Sequence, residues 1–152
     1  MEIPVTTLTI DETVIKFEIA SGSGTLYIDD VSLSINKNQN ILGNAGFEKG
    51  DKGQNWDCYN ADTFITENQD EVHSGDRALK VNQTADTYAF WSDTYSRTSV
   101  DTTKALTYSI WAKYESVTGN GFKMIAECDG SDWIESQNYT GTSDGWVELS
   151  MN

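Results

Sequence analysis

Trp133 stands in one of the most polar stretches of the chain, Asp129-Gly130-Ser131-Asp132-Trp133-Ile134-Glu135-Ser136-Gln137-Asn138-Tyr139. A core tryptophan is normally set among apolar residues, so an indole in this setting reads as a stacking surface for a ligand with an apolar side. The C–H side of a pyranose ring is such a partner, and its hydroxyls then call for amides and carboxylates beside the ring. Gln83, Glu127 and Gln137 lie on or next to strand-like segments and offer those groups, with Tyr59, Tyr95 and Tyr139 as weaker aromatic contacts. Trp91 follows Phe90, and because neighbours on a strand take opposite faces, only one of the two faces the core. A solvated strand face accounts for the polar residues equally well, so both readings stay open here.

Glu127 and Glu135 are candidates for the paired carboxylates of a glycoside hydrolase. With 24 acidic residues among 152, however, a chance pair is expected, and neither belongs to a hydrolase motif. The sequence holds no Ser-His-Asp arrangement, Gly-rich phosphate loop or Cys/His metal spacing, so the expectation is a protein without catalysis. A formal net charge of −14 opposes nucleic acid and anionic lipid as partners. No stretch approaches the roughly 20 apolar residues of a membrane helix, and residues 1–20 lack the basic start and apolar run of a signal peptide. Cys58 and Cys128 have no metal-like spacing; free thiols and a disulfide between them are both compatible with the sequence.

These residues need a scaffold, and the chain's periodicity is that of strands. In Thr13-Val14-Ile15-Lys16-Phe17-Glu18-Ile19 the apolar Ile15, Phe17 and Ile19 alternate with Lys16 and Glu18. The pattern recurs over residues 106–112, 122–128 and 146–151, each bounded by Gly, Asn, Asp or Ser clusters that favour turns. Sustained helical spacing is absent. Strands with one apolar face each predict an all-β fold of two antiparallel sheets stacked as a sandwich or jelly roll, in a single domain of 152 residues.

Several segments together resemble the β-sandwich carbohydrate-binding modules of the family 4, 9, 16 and 22 type. Asn44-Ala45-Gly46-Phe47-Glu48 is similar to the family's opening N-G-x-F-E motif, and His73-Ser74-Gly75-Asp76-Arg77-Ala78-Leu79-Lys80-Val81 to its H-S-G-x-x-S-L-K-V strand. Leu106-Thr107-Tyr108-Ser109-Ile110-Trp111-Ala112-Lys113 resembles its Y-x-x-S-F-W-x-K strand, and Gly145-Trp146 its penultimate turn. The closing Y-I-D-D-V-S-L strand is matched by Tyr27-Ile28-Asp29-Asp30-Val31-Ser32-Leu33, which here precedes the opening motif. The order is therefore circularly permuted. Residues 1–36 are expected to complete a sandwich built by residues 37–152, with residues 35–39 as a linker across one end; the other expectation is a strand-swapped oligomer.

The resemblance implies a structural calcium ion where first and last strands meet, held by Glu48, by main-chain oxygens at Ser74 or Gly75, and by the acidic pair Asp29 and Asp30. Within that pair Asp29 is preferred, because alternation from Val31 and Leu33 turns it inward. The resemblance also makes Trp56 a stacking aromatic, gives Trp111 and Trp146 framework roles, and makes His73 a turn residue. The implied function is a secreted, noncatalytic module that carries an attached glycoside hydrolase to plant cell-wall glucan, mannan or xylan. A structural or adhesion sandwich of a bacterial surface protein is the alternative.

Overall fold

The computed structural model describes residues 13–19, 22–35, 40, 42–49, 56–59, 64–83, 88–92, 106–128 and 132–151. Their strands are β1 (Thr13–Ile19), β2 (Gly24–Ile35), β3 (Trp56–Tyr59), β4 (Phe64–Thr66), β5 (Ala78–Gln83), β6 (Tyr88–Ser92), β7 (Leu106–Glu115), β8 (Val117–Cys128), β9 (Asp132–Glu135), β10 (Tyr139–Gly141) and β11 (Val147–Met151). A single 3-10 turn, Gln69–Glu71, is the helical piece among the described residues.

All named strand pairs are antiparallel, and they form two sheets. One runs β10-β8-β1-β6-β3, with β9 pairing the far half of β8; the other runs β11-β7-β2-β5-β4. Alternation sets the inward faces: Ile15 and Phe17 are fully buried while Lys16 and Glu18 between them are half-buried. Ile15, Phe17, Phe122 and Met124 meet Leu26, Ile28, Val31, Leu33, Val81, Ile110 and Ala112 of the opposite sheet in one apolar cluster. Each large side chain so buried stabilises the fold by roughly 1.5–3 kcal/mol. Tyr108 crosses between the layers, its hydroxyl donating to the Lys16 carbonyl at 3.2 Å, and complete burial pushes its phenol well above the usual range. The expected two-sheet sandwich is thus the observed architecture.

The leading strands take interior places. β1 lies between β8 and β6, and β2 between β7 and β5. Each therefore pairs on both edges, and removing either would open a central gap in its sheet. Past Ile28, where β5 stops pairing with β2, the opening motif takes over beside it. Val31 N donates to Ala45 O at 2.9 Å, and Asn40 is stitched to the Val31 carbonyl and the Leu33 amide through its side chain. Closing and opening motifs are thus neighbours within one chain. Ile35 ends β2, and residues 36–39 of the expected linker lie outside the described residues.

Register also bears on the cysteines. Cys58 is across from Phe90, Phe90 from Phe17 and Phe17 from Met124, four residues short of Cys128. Three strand spacings amount to roughly 14 Å, whereas disulfide-bonded Cα atoms lie within about 7 Å. The fold keeps these two residues apart.

Candidate functional site

On the six-stranded sheet, the positions alternating with the core bring several predicted residues into one array. Trp133 on β9 is opposite Glu127 on β8, and Trp91 on β6 is opposite both Lys16 on β1 and Asp57 on β3. Tyr59 is two residues beyond Asp57. The side chains of Tyr59, Gln83, Trp91, Glu127 and Trp133 lie outside the described ones, so these placements are those of the backbone; Tyr95 lies outside the described residues altogether. Trp91 and Trp133 are three strands and two residues apart, about 16 Å.

Described side chains on the same positions form a charged lattice. Lys123 Nζ is 2.9 Å from Glu135 Oε1 and 3.7 Å from Glu18 Oε1, and the Glu135 hydrogen bond raises the ammonium's pKa. Ile125, opposite Lys16 and Glu135, is fully buried despite this outward register. Gln137 is exposed in the short break between β9 and β10. Ser136 fixes that break: its amide donates to Met124 O at 3.0 Å, and its hydroxyl accepts from Met124 N at 2.9 Å.

Two predicted residues stand apart from this array. Gln83 is on β5 of the other sheet, opposite Gly24. Trp56, expected to stack on ligand, is turned inward: its ring lies 5.3 Å from both Phe17 and Phe47, and its Nε1 donates to Asn44 O at 3.1 Å. The reason is parity, since Asp57 shares the outward row of Trp91 and its neighbour Trp56 must take the core side.

The acidic junction gathers all five residues predicted for a metal. β2 breaks register between Asp29 and Ser32, and Asp30 at the break has φ of 45°, a conformation an aspartate tolerates better than most residues. The bulge cancels the alternation argument used to turn Asp29 inward with Val31 and Leu33. Asp29 is fully buried nonetheless, because the 73–75 turn lies over it. Its Oδ2 accepts from His73 N at 3.0 Å and Ser74 N at 3.1 Å, and its Oδ1 from Asp30 N at 2.7 Å. Burial outweighs these donors and pushes its carboxyl up to about 6. Asp30 accepts from Ser74 Oγ at 2.9 Å and meets His73 Nδ1 at 2.7 Å. Glu48 accepts from the amides of Asp76 and Arg77, and Gly75, with φ of 72°, leaves room for it because a Cβ there would strike Glu48 Oε1.

The donor type suits calcium: hard oxygens dominate, and no lysine or arginine side chain is bonded to Asp29, Asp30 or Glu48 among the described residues. Asp29 Oδ1 and Asp30 Oδ1 both lie within 3.7 Å of where a side chain on Gly46 would begin. Among the described residues no group of three or more His, Cys, Asp or Glu is already gathered for a metal. The junction fits an ion in charge and ligand type without being a finished cage.

His73 does more than the turn role expected of it. Its imidazole lies flat on Trp111, with centroids 3.9 Å apart and planes at 14°, and Trp146 tilts against its edge at 5.5 Å. Trp111 and Trp146 are both half-buried and outside the core cluster. The H-S-G motif signals the turn; nothing in it points to the indole beneath.

No protein-family profile, curated protein or solved structure matches the chain. The resemblance stated above therefore rests on the quoted motifs alone.

Proposed function

We propose that this chain is a noncatalytic module that binds an extended β-linked polysaccharide across the outward face of its six-stranded sheet. The observation that carries the reading is the register that sets Trp133 opposite Glu127 and Trp91 opposite Lys16 on one row system, about 16 Å apart. Two aromatic positions at that separation suit several consecutive sugars better than a single ring, with Glu127 and Tyr59 at backbone positions on the same rows. Exchange of water hydrogen bonds for protein ones keeps affinity modest.

In this reading the module is extracellular, part of a larger protein, and directs an attached glycoside hydrolase to cell-wall glucan, mannan or xylan. Calcium braces the junction through Asp29, Asp30 and Glu48 with a main-chain oxygen of Ser74 or Gly75, and supplies no chemistry. The test is a titration of intrinsic tryptophan fluorescence with cellohexaose, mannohexaose and xylohexaose, alongside an assay for released reducing ends. Saturable change with at least one hexaose and no hydrolysis is the expected result; silence across all three favours a structural or adhesion module.

A further inference from the structure

The outward face of the five-stranded sheet is not flat. It carries a groove of about 470 Å³ whose floor is a grid of small hydroxyls: Ser32 opposite Ser109, Ser109 opposite Ser150, and Ser34 opposite Thr107. Trp111, opposite Glu148, closes one end. We propose that this groove is a second ligand site, for a neutral pyranoside, independent of the platform on the other sheet.

The volume falls within the range of small-ligand sites. Hydroxyls both donate and accept, a carboxylate accepts, and the lining contains no lysine or arginine, so the chemistry suits a neutral polyol and opposes an anion. Two carboxylates, Asp30 and Glu148, stand at the Trp111 end, while the other six lining residues, Ser32, Ser34, Thr107, Ser109, Trp111 and Ser150, are neutral, so the floor itself is one of hydroxyls. Ser34 is 8% exposed and lines this groove. A hydroxyl on the groove floor can both donate to and accept from a ligand hydroxyl. Trp111 is fixed in advance: His73 covers one face of the indole and Asp30 holds His73. A clamped aromatic loses little rotamer freedom when a sugar edge packs on its remaining surface.

The experiment is amide and indole chemical-shift mapping on the whole chain with methyl β-glucopyranoside, methyl β-mannopyranoside and methyl β-xylopyranoside, plus the three hexaoses and glucosammonium chloride as the cationic arm. The proposal expects saturable shifts at Ser32, Ser109 and the Trp111 indole with at least one neutral probe. Ser109→Tyr, which fills the floor, should weaken that response at least tenfold, and Ser150→Arg on the exposed edge strand should do the same while Phe122 and Met124 resonances certify the fold. Shifts confined to Lys123, Ile125 and Glu135 would overturn the groove and leave the platform standing. Shifts confined to the groove would do the reverse. A response to glucosammonium alone, no response at all, or one that survives both substitutions overturns the groove.

Discussion

Glu71 and Asp29 are two acids tied to the same sheet, and they are settled in opposite ways. Glu71 receives an ammonium: Lys80 Nζ lies 2.6 Å from Oε1, Thr66 Oγ1 donates to Oε2 at 2.7 Å, and the Tyr27 hydroxyl stands at 3.4 Å. That Lys80 hydrogen bond, first among its causes, lowers the Glu71 pKa, while Lys80 and Lys113 both sit over the Tyr27 ring. Asp29 receives only main-chain amides, and its burial pushes the carboxyl up to about 6. N–H donors thus fix the geometry of a buried carboxylate without cancelling the cost of its charge. The junction is where a cation has something to offset; the Glu71 cluster already has one.

Deleting the buried acid should have the largest effect. Asp29→Ala strands the amides of Asp30, His73 and Ser74, and chemical denaturation should register a loss of about 3 kcal/mol. A loss near zero would mean that the 73–75 turn is not anchored there.

Titration separates the two acids by sign. The folded-state value of Asp29 lies above its ordinary 3.8, so the folded protein holds more protons than the unfolded chain between about pH 4 and pH 6. The contribution of Asp29 to stability is therefore present at about pH 4 and lost as pH rises to 6, by about 2 kcal/mol in chelator. Glu71, with a lowered value, contributes stability that is present above its ordinary 4.5 and lost as pH falls below it. Asp29→Asn should erase the decline and keep the acid-side loss. Saturating calcium should likewise erase the decline, because a bound ion favours the ionised carboxylate; if the decline persists in calcium, the proposed metal role fails.

Glu71→Gln is the smallest of these perturbations. It keeps the Thr66 contact but removes the ion pair at a half-buried site, and a loss of about 1 kcal/mol is expected from thermal or chemical unfolding.

Much of this arrangement is legible in the chain. Ile15 and Phe17 announce β1 by alternation, and the order of the motifs anticipates β2 lying beside Ala45 and Phe47. Alternation misleads where a bulge interrupts it: Asp29 is buried, yet not by the parity that argued for it, since a positive φ at Asp30 resets the count and no residue pattern announces the reset. Trp56 reads as a ligand aromatic only while its strand phase is unknown; once Asp57 pairs with Trp91, the indole belongs to Phe17 and Phe47. Gln83 shares a polar character with Glu127 but not a sheet, because sheet membership depends on which distant strands pair. The stack of His73 on Trp111 joins residues 38 apart in sequence through a turn, and it escapes any local rule.

Polysaccharide binding across the six-stranded face is open to calorimetric titration of cellohexaose, mannohexaose and xylohexaose into the intact chain and into Trp133→Ala. The intact chain should bind at least one hexaose one-to-one, and the variant at least tenfold more weakly. Equal binding by both proteins, or none by either, would contradict binding across that face.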